Sequence, residues 1–115
     1  MRYVLLIYGV EVEYANMSPQ DHAALMQGHA AFAEETLKSN QITGGAPLQS
    51  TRTARTVRVR GGKVSVTDGP FAETKEQLGG IYILDCKNLE EAVALAAKIP
   101  DARYGCVEVR PALDL

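Results

Sequence analysis

The stretch from Thr67 to Gly80, TDGPFAETKEQLGG, concentrates ionisable side chains between two strand-like segments. Asp68 could act as a base at the mouth of a cavity, and Lys75 could stabilise negative charge that develops on a substrate. The alternative is structural, because Asp68 begins an Asp-Gly-Pro turn in which its carboxylate can accept backbone N–H groups. The pattern allows both roles at once.

The same stretch contains two further candidates for contact with a ligand. Glu73 would share a face with Glu76 if residues 72–78 formed a helical turn. That face would either form salt bridges in solvent or present a glutamate and Lys75 to a bound anion. Phe71 follows the turn, and we expect it to be a buried anchor of the loop and a ligand contact.

Two histidines lie seven residues apart on a predicted helix, for which Ser18 is a good N-cap and Pro19 a good first residue. His22 and His29 are therefore about 10 Å apart along the helix axis, too far to hold one metal ion. No metal site is predicted. His29 is a candidate general base, because an imidazole titrates near neutral pH; the alternative is a half-buried histidine without chemistry.

The periodicity predicts one α+β domain over residues 1–115. Tyr3–Tyr8 and Ile81–Leu84 are apolar on both faces, as expected of the central strands of a sheet. Glu11–Asn16 is predicted as a polar loop, and Asn88 caps a second helix that Pro100 ends. The resulting βαββαβ order predicts a ferredoxin-like antiparallel sheet with an extra hairpin.

The extra hairpin is the clearest local prediction. Thr56–Arg60 and Lys63–Thr67 are joined by the two-residue turn Gly61–Gly62. This register pairs Val59 with Val64 and Val57 with Val66, which makes one face apolar and the other polar. The region is also basic, with no acid between Glu35 and Asp68. It is either a solvated face or a rim for an anionic ligand, formed by Arg52, Arg55, Arg58, Arg60 and Lys63.

Two helices can cover only one face of the sheet, and an exposed apolar face would be adhesive. The hairpin, a ligand or a second subunit must cover the other face. We expect a homodimer with its sheets face to face, a dimeric α+β barrel. Tyr8 and Tyr82 lie on the central strands and are expected to line a cavity, or to serve as core or dimer contacts.

Composition excludes several classes of protein. The net charge of −2 gives no general reason to bind nucleic acid directly, and the apolar opening segment is too short to span a bilayer. The two cysteines have no metal-type spacing, and no signal peptide is visible, so we expect a cytoplasmic protein. The glycine pairs lack a dinucleotide-binding fingerprint, and no organic cofactor is expected.

Three segments, VTDGPFAETKEQLGG, IYILD and ARYGCVEVRP, resemble the YCII-related superfamily in its DGPF-domain branch. The resemblance extends over nearly the whole chain. It implies a dimeric α+β barrel and a genomic pairing with extracytoplasmic-function sigma factors. Some members of the superfamily resemble a dehydrochlorinase of chlorinated hydroquinones, for which a catalytic His–Asp pair is proposed.

The resemblance places the family histidine at or next to His29. The family aspartate precedes a proline after the second helix, where this chain has Ile99 before Pro100. The nearest acid is Asp101, on the other side of that proline. Because the DGPF branch carries Asp68, the resemblance favours Asp68 as the replacement acid.

Three hypotheses follow. The first is cofactor-independent acid/base chemistry, lyase-, isomerase- or dehydrochlorinase-like, on a small aromatic or anionic metabolite. His29 or Asp68 would be the base, and Lys75 would stabilise negative charge. The alternative is a non-catalytic ligand-binding or regulatory accessory protein linked to a sigma factor, or a dimeric scaffold in which the DGPF stretch is only structural.

Overall fold

The computed structural model describes residues 1–115 as a four-stranded sheet, a separate two-stranded hairpin and three helices. Short 3-10 turns lie at Thr51–Thr53 and Pro100–Arg103. The strands are β1 (Arg2–Gly9), β2 (Ile42–Pro47), β3 (Arg55–Arg60), β4 (Lys63–Asp68), β5 (Gln77–Asp85) and β6 (Cys106–Pro111), and the helices are α1 (Glu11–Ala15), α2 (Pro19–Lys38) and α3 (Leu89–Ala96).

The four-stranded sheet has the order β2-β5-β1-β6, and every neighbouring pair is antiparallel. The two central strands are β1 and β5, as their apolar character on both faces predicts. This α+β arrangement is compatible with the ferredoxin-like βαββαβ pattern.

The core lies between one face of the sheet and the helices. Side chains alternate along a strand, so Tyr3, Leu5 and Ile7 of β1 point to the same side as Leu84 of β5. These residues are buried against Phe32 of α2 and the inner side of α3. The opposite side, here called the outer sheet face, has no helix over it. Its central strands carry Val4, Leu6, Ile81 and Ile83, which stay partly exposed, and the edge strand β6 adds the ion pair of Glu108 and Arg110.

Helix α2 begins as predicted, because the Ser18 side chain accepts a hydrogen bond from the backbone N–H of Asp21. The row that contains His29 faces the sheet, since Leu25 and Phe32 are buried. The neighbouring apolar row is exposed at Met26. The side of α2 that carries His29 therefore points into the protein.

No helix combines the length and apolarity needed to cross a lipid bilayer.

The hairpin has the predicted register, with Val59 opposite Val64 and Val57 opposite Val66. No other strand or helix of the chain packs extensively against it. All four valines consequently remain exposed.

Two local predictions are wrong, those for Glu11–Asn16 and Phe71, and the helical turn considered for residues 72–78 is absent. Glu11–Ala15 is a short helix, in which backbone N–H groups of Glu13 and Tyr14 bond to Val10 O. The segment before β5 is irregular, and β5 begins at Gln77, which pairs with the end of β1, so Glu73 and Glu76 do not share a helical face. Phe71 is 81% exposed rather than buried. The loop in which it lies leaves the unsupported hairpin, outside the core.

The burial of Leu84 gives a test of this core. Leu84 is fully buried between the sheet and helices, so Leu84→Ala should reduce the free energy of unfolding by about 2–5 kcal/mol. Leu113→Ala, at an exposed position, should change it by less than about 0.5 kcal/mol. Urea unfolding at one fixed protein concentration measures both, and equal losses would contradict the described core.

Candidate functional site

A cavity of about 1140 Å³ lies between α2 and the helix-facing side of the sheet. Its apolar walls include Ile7, Leu25 and Ile42. A few polar side chains also reach it, which is the usual character of a small-molecule site. The polar groups of interest are Tyr14, His29, Arg52, Tyr82 and Asp101.

The centre of the site is a histidine–aspartate contact. His29 Nε2 lies 2.5 Å from Asp101 Oδ1, and Oδ1 has no other polar partner. The other carboxylate oxygen, Oδ2, accepts a hydrogen bond of 2.9 Å from the Tyr14 hydroxyl. Asp101 is only 6% exposed, so these two neighbours replace the water that its charge loses on burial.

The second ring nitrogen of His29 meets Tyr82. Tyr82 Oη lies 2.7 Å from His29 Nδ1. Because Nε2 faces the Asp101 carboxylate, the neutral imidazole is assigned a proton on Nε2, and Nδ1 then accepts the Tyr82 O–H. The Tyr82 ring packs on Phe32, with 4.8 Å between the ring centroids, which restrains its position.

The turn after α3 brings Asp101 to His29. Pro100 begins the 3-10 turn of residues 100–103, and the buried Ile99 anchors the chain just before it. A Cβ atom at Gly28 would lie 2.7 Å from Pro100 Cγ. Glycine at position 28 therefore allows the turn to approach α2 next to His29.

Helix α1 supplies Tyr14, which the sequence analysis missed. A Cβ atom at Gly9 would collide with the Tyr14 ring, so glycine at the end of β1 makes room for it. The ring also lies near Tyr104, with 6.2 Å between centroids. The available signal was the single aromatic residue in the otherwise mainly polar segment 11–16.

Electrostatics fix the protonation of this network. Burial alone raises the pKa of Asp101, but the interactions with His29 and Tyr14 outweigh it and bring the pKa below its ordinary value. Burial, followed by the hydrogen bond to Asp101, raises the pKa of Tyr14. Burial and the negative charge of Asp101 raise the pKa of Tyr82. At neutral pH the network holds one carboxylate and two neutral phenols.

The structure brings together only some of the predicted site residues. His29 and Tyr82 line the cavity, whereas Asp68, Glu73 and Lys75 do not. The Asp68 side chain is 90% exposed and pairs with Arg55, 3.1 Å between Oδ1 and Nε. Within one chain, the acid beside His29 is therefore Asp101 and not Asp68.

The two remaining aromatic candidates also lie outside the cavity. Tyr8 is on the outer sheet face, because it alternates with the buried Ile7 along β1. Phe71 projects from the exposed loop that follows the hairpin. Neither side chain lines the cavity of its own chain.

Of the predicted basic rim, Arg52 lies on the cavity and has no carboxylate partner. The acid on that side, Glu11, is occupied: its carboxylate accepts hydrogen bonds from the Thr51 N–H and hydroxyl, at 2.8 and 3.0 Å. Arg52 is thus available to an anion.

No cluster of three or more His, Cys, Asp or Glu side chains is arranged to hold a metal ion.

Comparison with known proteins agrees with the resemblance to the YCII-related superfamily. The family model of the YCII-related domain matches residues 1–115. The chain belongs to the YCII-related family. This YCII-related protein is also 36% identical over 113 residues to a protein of Rhizobium meliloti (strain 1021) described as uncharacterized. That match covers 96% of this chain and 91% of the relative.

The lowered pKa of Asp101 predicts a pH dependence of stability. The folded-state pKa lies below the unfolded value near 3.8, so the ionised carboxylate stabilises the fold above that pH. The contribution is lost as the pH falls below about 4 towards the folded-state pKa. Asp101→Asn should cost about 1–3 kcal/mol at pH 7, and the difference from wild type should shrink in acid.

Urea unfolding of both proteins between pH 7 and pH 2.5 measures this difference. Taking the difference cancels the titration of groups that the substitution does not affect. A gap between the two proteins that stays constant down to pH 2.5 would show that the Asp101 carboxylate is not stabilised in the fold.

Proposed function

We propose that this YCII-related protein binds a small organic molecule in the cavity and moves a proton on it by acid/base catalysis. The observation that supports the proposal is the buried His29–Asp101 contact on the cavity wall, with Tyr82 on the second ring nitrogen. A charged carboxylate that orients an imidazole, which in turn contacts a reactive hydroxyl, is a recurring arrangement for proton transfer.

The proton path follows from the hydrogen bonds. The Tyr82 oxygen takes a proton from the bound molecule while its own proton passes to His29 Nδ1. The imidazolium that forms is stabilised by Asp101, and Tyr14 keeps that carboxylate in place. The electron pair left on the substrate then expels a leaving group from the neighbouring carbon, or is protonated at another atom, which gives an elimination or an isomerisation.

The cavity also favours a class of ligand. Its walls are largely apolar, and Arg52 is a cation on its lining without a carboxylate partner. An aromatic or aliphatic molecule with one carboxylate or phenolate group fits this combination, because its body meets the apolar wall and its charge meets Arg52.

The acidic residue of the site is not the one expected from the sequence. Asp101 takes the role expected of Asp68, and no lysine stands in the cavity where Lys75 was expected to stabilise charge. A dehydrochlorinase-like reaction remains one form of this proposal. The link to a sigma factor stays a prediction from the resemblance.

We further propose that the protein is a homodimer in which a second copy covers the outer sheet face. The chain exposes 8096 Å², whereas a compact monomer of 12.4 kDa exposes about 6100 Å². Its radius of gyration is 16.0 Å, against about 13 Å for a compact chain of this length. The excess of about 2000 Å² per chain is in the range that obligate homodimers bury.

A test of the chemistry uses small aromatic and aliphatic carboxylates and chlorinated phenols as probes. A thermal-shift screen finds those that bind, and NMR in D₂O then follows deuterium incorporation into the bound class of molecule. We expect exchange with the wild-type protein, and a rate at least about a hundredfold lower for Tyr82→Phe and His29→Gln. His22→Gln is the matched control, an exposed histidine of the same helix outside the cavity.

The outcomes separate the alternatives. Binding without exchange or turnover would favour the non-catalytic ligand-binding function. Exchange at the wild-type rate in Tyr82→Phe would remove Tyr82 from the proton path. Equal effects of the His22 and His29 substitutions would contradict the assignment of the site.

A further inference from the structure

No residue of the β3–β4 hairpin lines the cavity, and the hairpin has an exposed apolar surface of its own. We propose that it is a dimerisation arm, whose valine face packs on the outer sheet face of a second copy. The valine face consists of Val57, Val59, Val64 and Val66. This inference rests on the homodimer proposed above and names the surfaces that form it.

The valine face is exposed to solvent although all four of its side chains are apolar. The cross-strand pairs Val57–Val66 and Val59–Val64 place the four side chains together, and their exposed fractions are 56–68%. A two-stranded hairpin is only marginally stable in water unless its apolar face packs against something. Such a continuous apolar strip is typical of a protein interface.

The chain does not cover this face itself. No other strand or helix packs extensively against the hairpin. The base of the hairpin is fixed by hydrogen bonds from Gly69 N to Ala54 O and from the Thr56 hydroxyl to Gly69 O. The arm therefore has a defined connection to the domain and leaves its apolar side free.

The same chain carries an apolar surface that could receive the arm. The outer sheet face has Val4, Leu6, Ile81 and Ile83 on the two central strands, with no helix over it. In a dimer with a two-fold axis, the arm of each copy lies on the outer sheet face of the other. The same contact is made twice, and both apolar surfaces of each copy are covered.

The charges of the hairpin favour this orientation. The opposite face of the hairpin carries Arg58, Arg60 and Lys63, which suit solvent better than an apolar interface. On the valine side, the only charged pair is Arg55 with Asp68, at the base. That pair would form a polar rim of the interface, which gives Asp68 a place in assembly instead of in catalysis.

Sedimentation equilibrium of the wild type, Val64→Lys and Ser65→Lys tests the arm. Both substitutions add the same side chain to adjacent positions of β4, one on the valine face and one on the polar face. We expect a dimer for the wild type and Ser65→Lys, and a dimer Kd at least about a hundredfold higher for Val64→Lys. Circular dichroism confirms that each variant is folded.

A wild-type Kd in Val64→Lys would overturn the arm and leave the dimer standing, whereas a monomeric wild type would overturn both. If Val64→Lys does not fold, the double variant Val59→Thr, Val64→Thr decides, because threonine keeps the shape and strand preference of valine. An unchanged Kd in that variant would also overturn the arm. Ligand binding and deuterium exchange, measured separately, decide the cavity proposal independently of assembly.

Discussion

The structure around the cavity depends on the buried carboxylate of Asp101. A buried charge is costly unless polar partners replace its water, and His29 and Tyr14 are those partners. Each partner comes from a different element: His29 from α2, Tyr14 from α1, and Asp101 from the turn after α3. The contact therefore ties three helical segments together at one point, and in the proposed chemistry it also orients the imidazole for proton transfer.

The two faces of the sheet have different surroundings. The helix-facing side carries the core and, beside α2, opens into the cavity that holds Tyr82. The outer sheet face bears no helix, and its central strands are apolar, which is why we propose it as the surface for assembly. Because side chains alternate along β1 and β5, the proposed site and the proposed interface occupy neighbouring positions of the same strands, such as Tyr82 and Ile81.

The parts of the fold that local chemistry determines could be predicted from the sequence. The apolar character of β1 and β5 placed them at the sheet centre, and the caps Ser18 and Asn88 marked the helix starts. The acid of the site could not be predicted in this way. Pro100 indicated only the end of a helix, whereas the path of the next turn depends on its contact with Gly28 in the folded protein. The local Asp-Gly-Pro motif predicted a site role for Asp68, but Asp68 lies at the end of the unsupported hairpin, away from the cavity.

The most direct test of the account is the protonation of the His29 ring, observed by nitrogen NMR of histidine-labelled protein. The chain has two histidines, and exposed His22 serves as the internal reference. In the neutral form we predict that His29 holds its proton on Nε2, with Nδ1 accepting from Tyr82, and that Asp101→Asn abolishes this preference. A His29 ring with the same tautomer balance as His22, or one unchanged in Asp101→Asn, would contradict the central role of the contact.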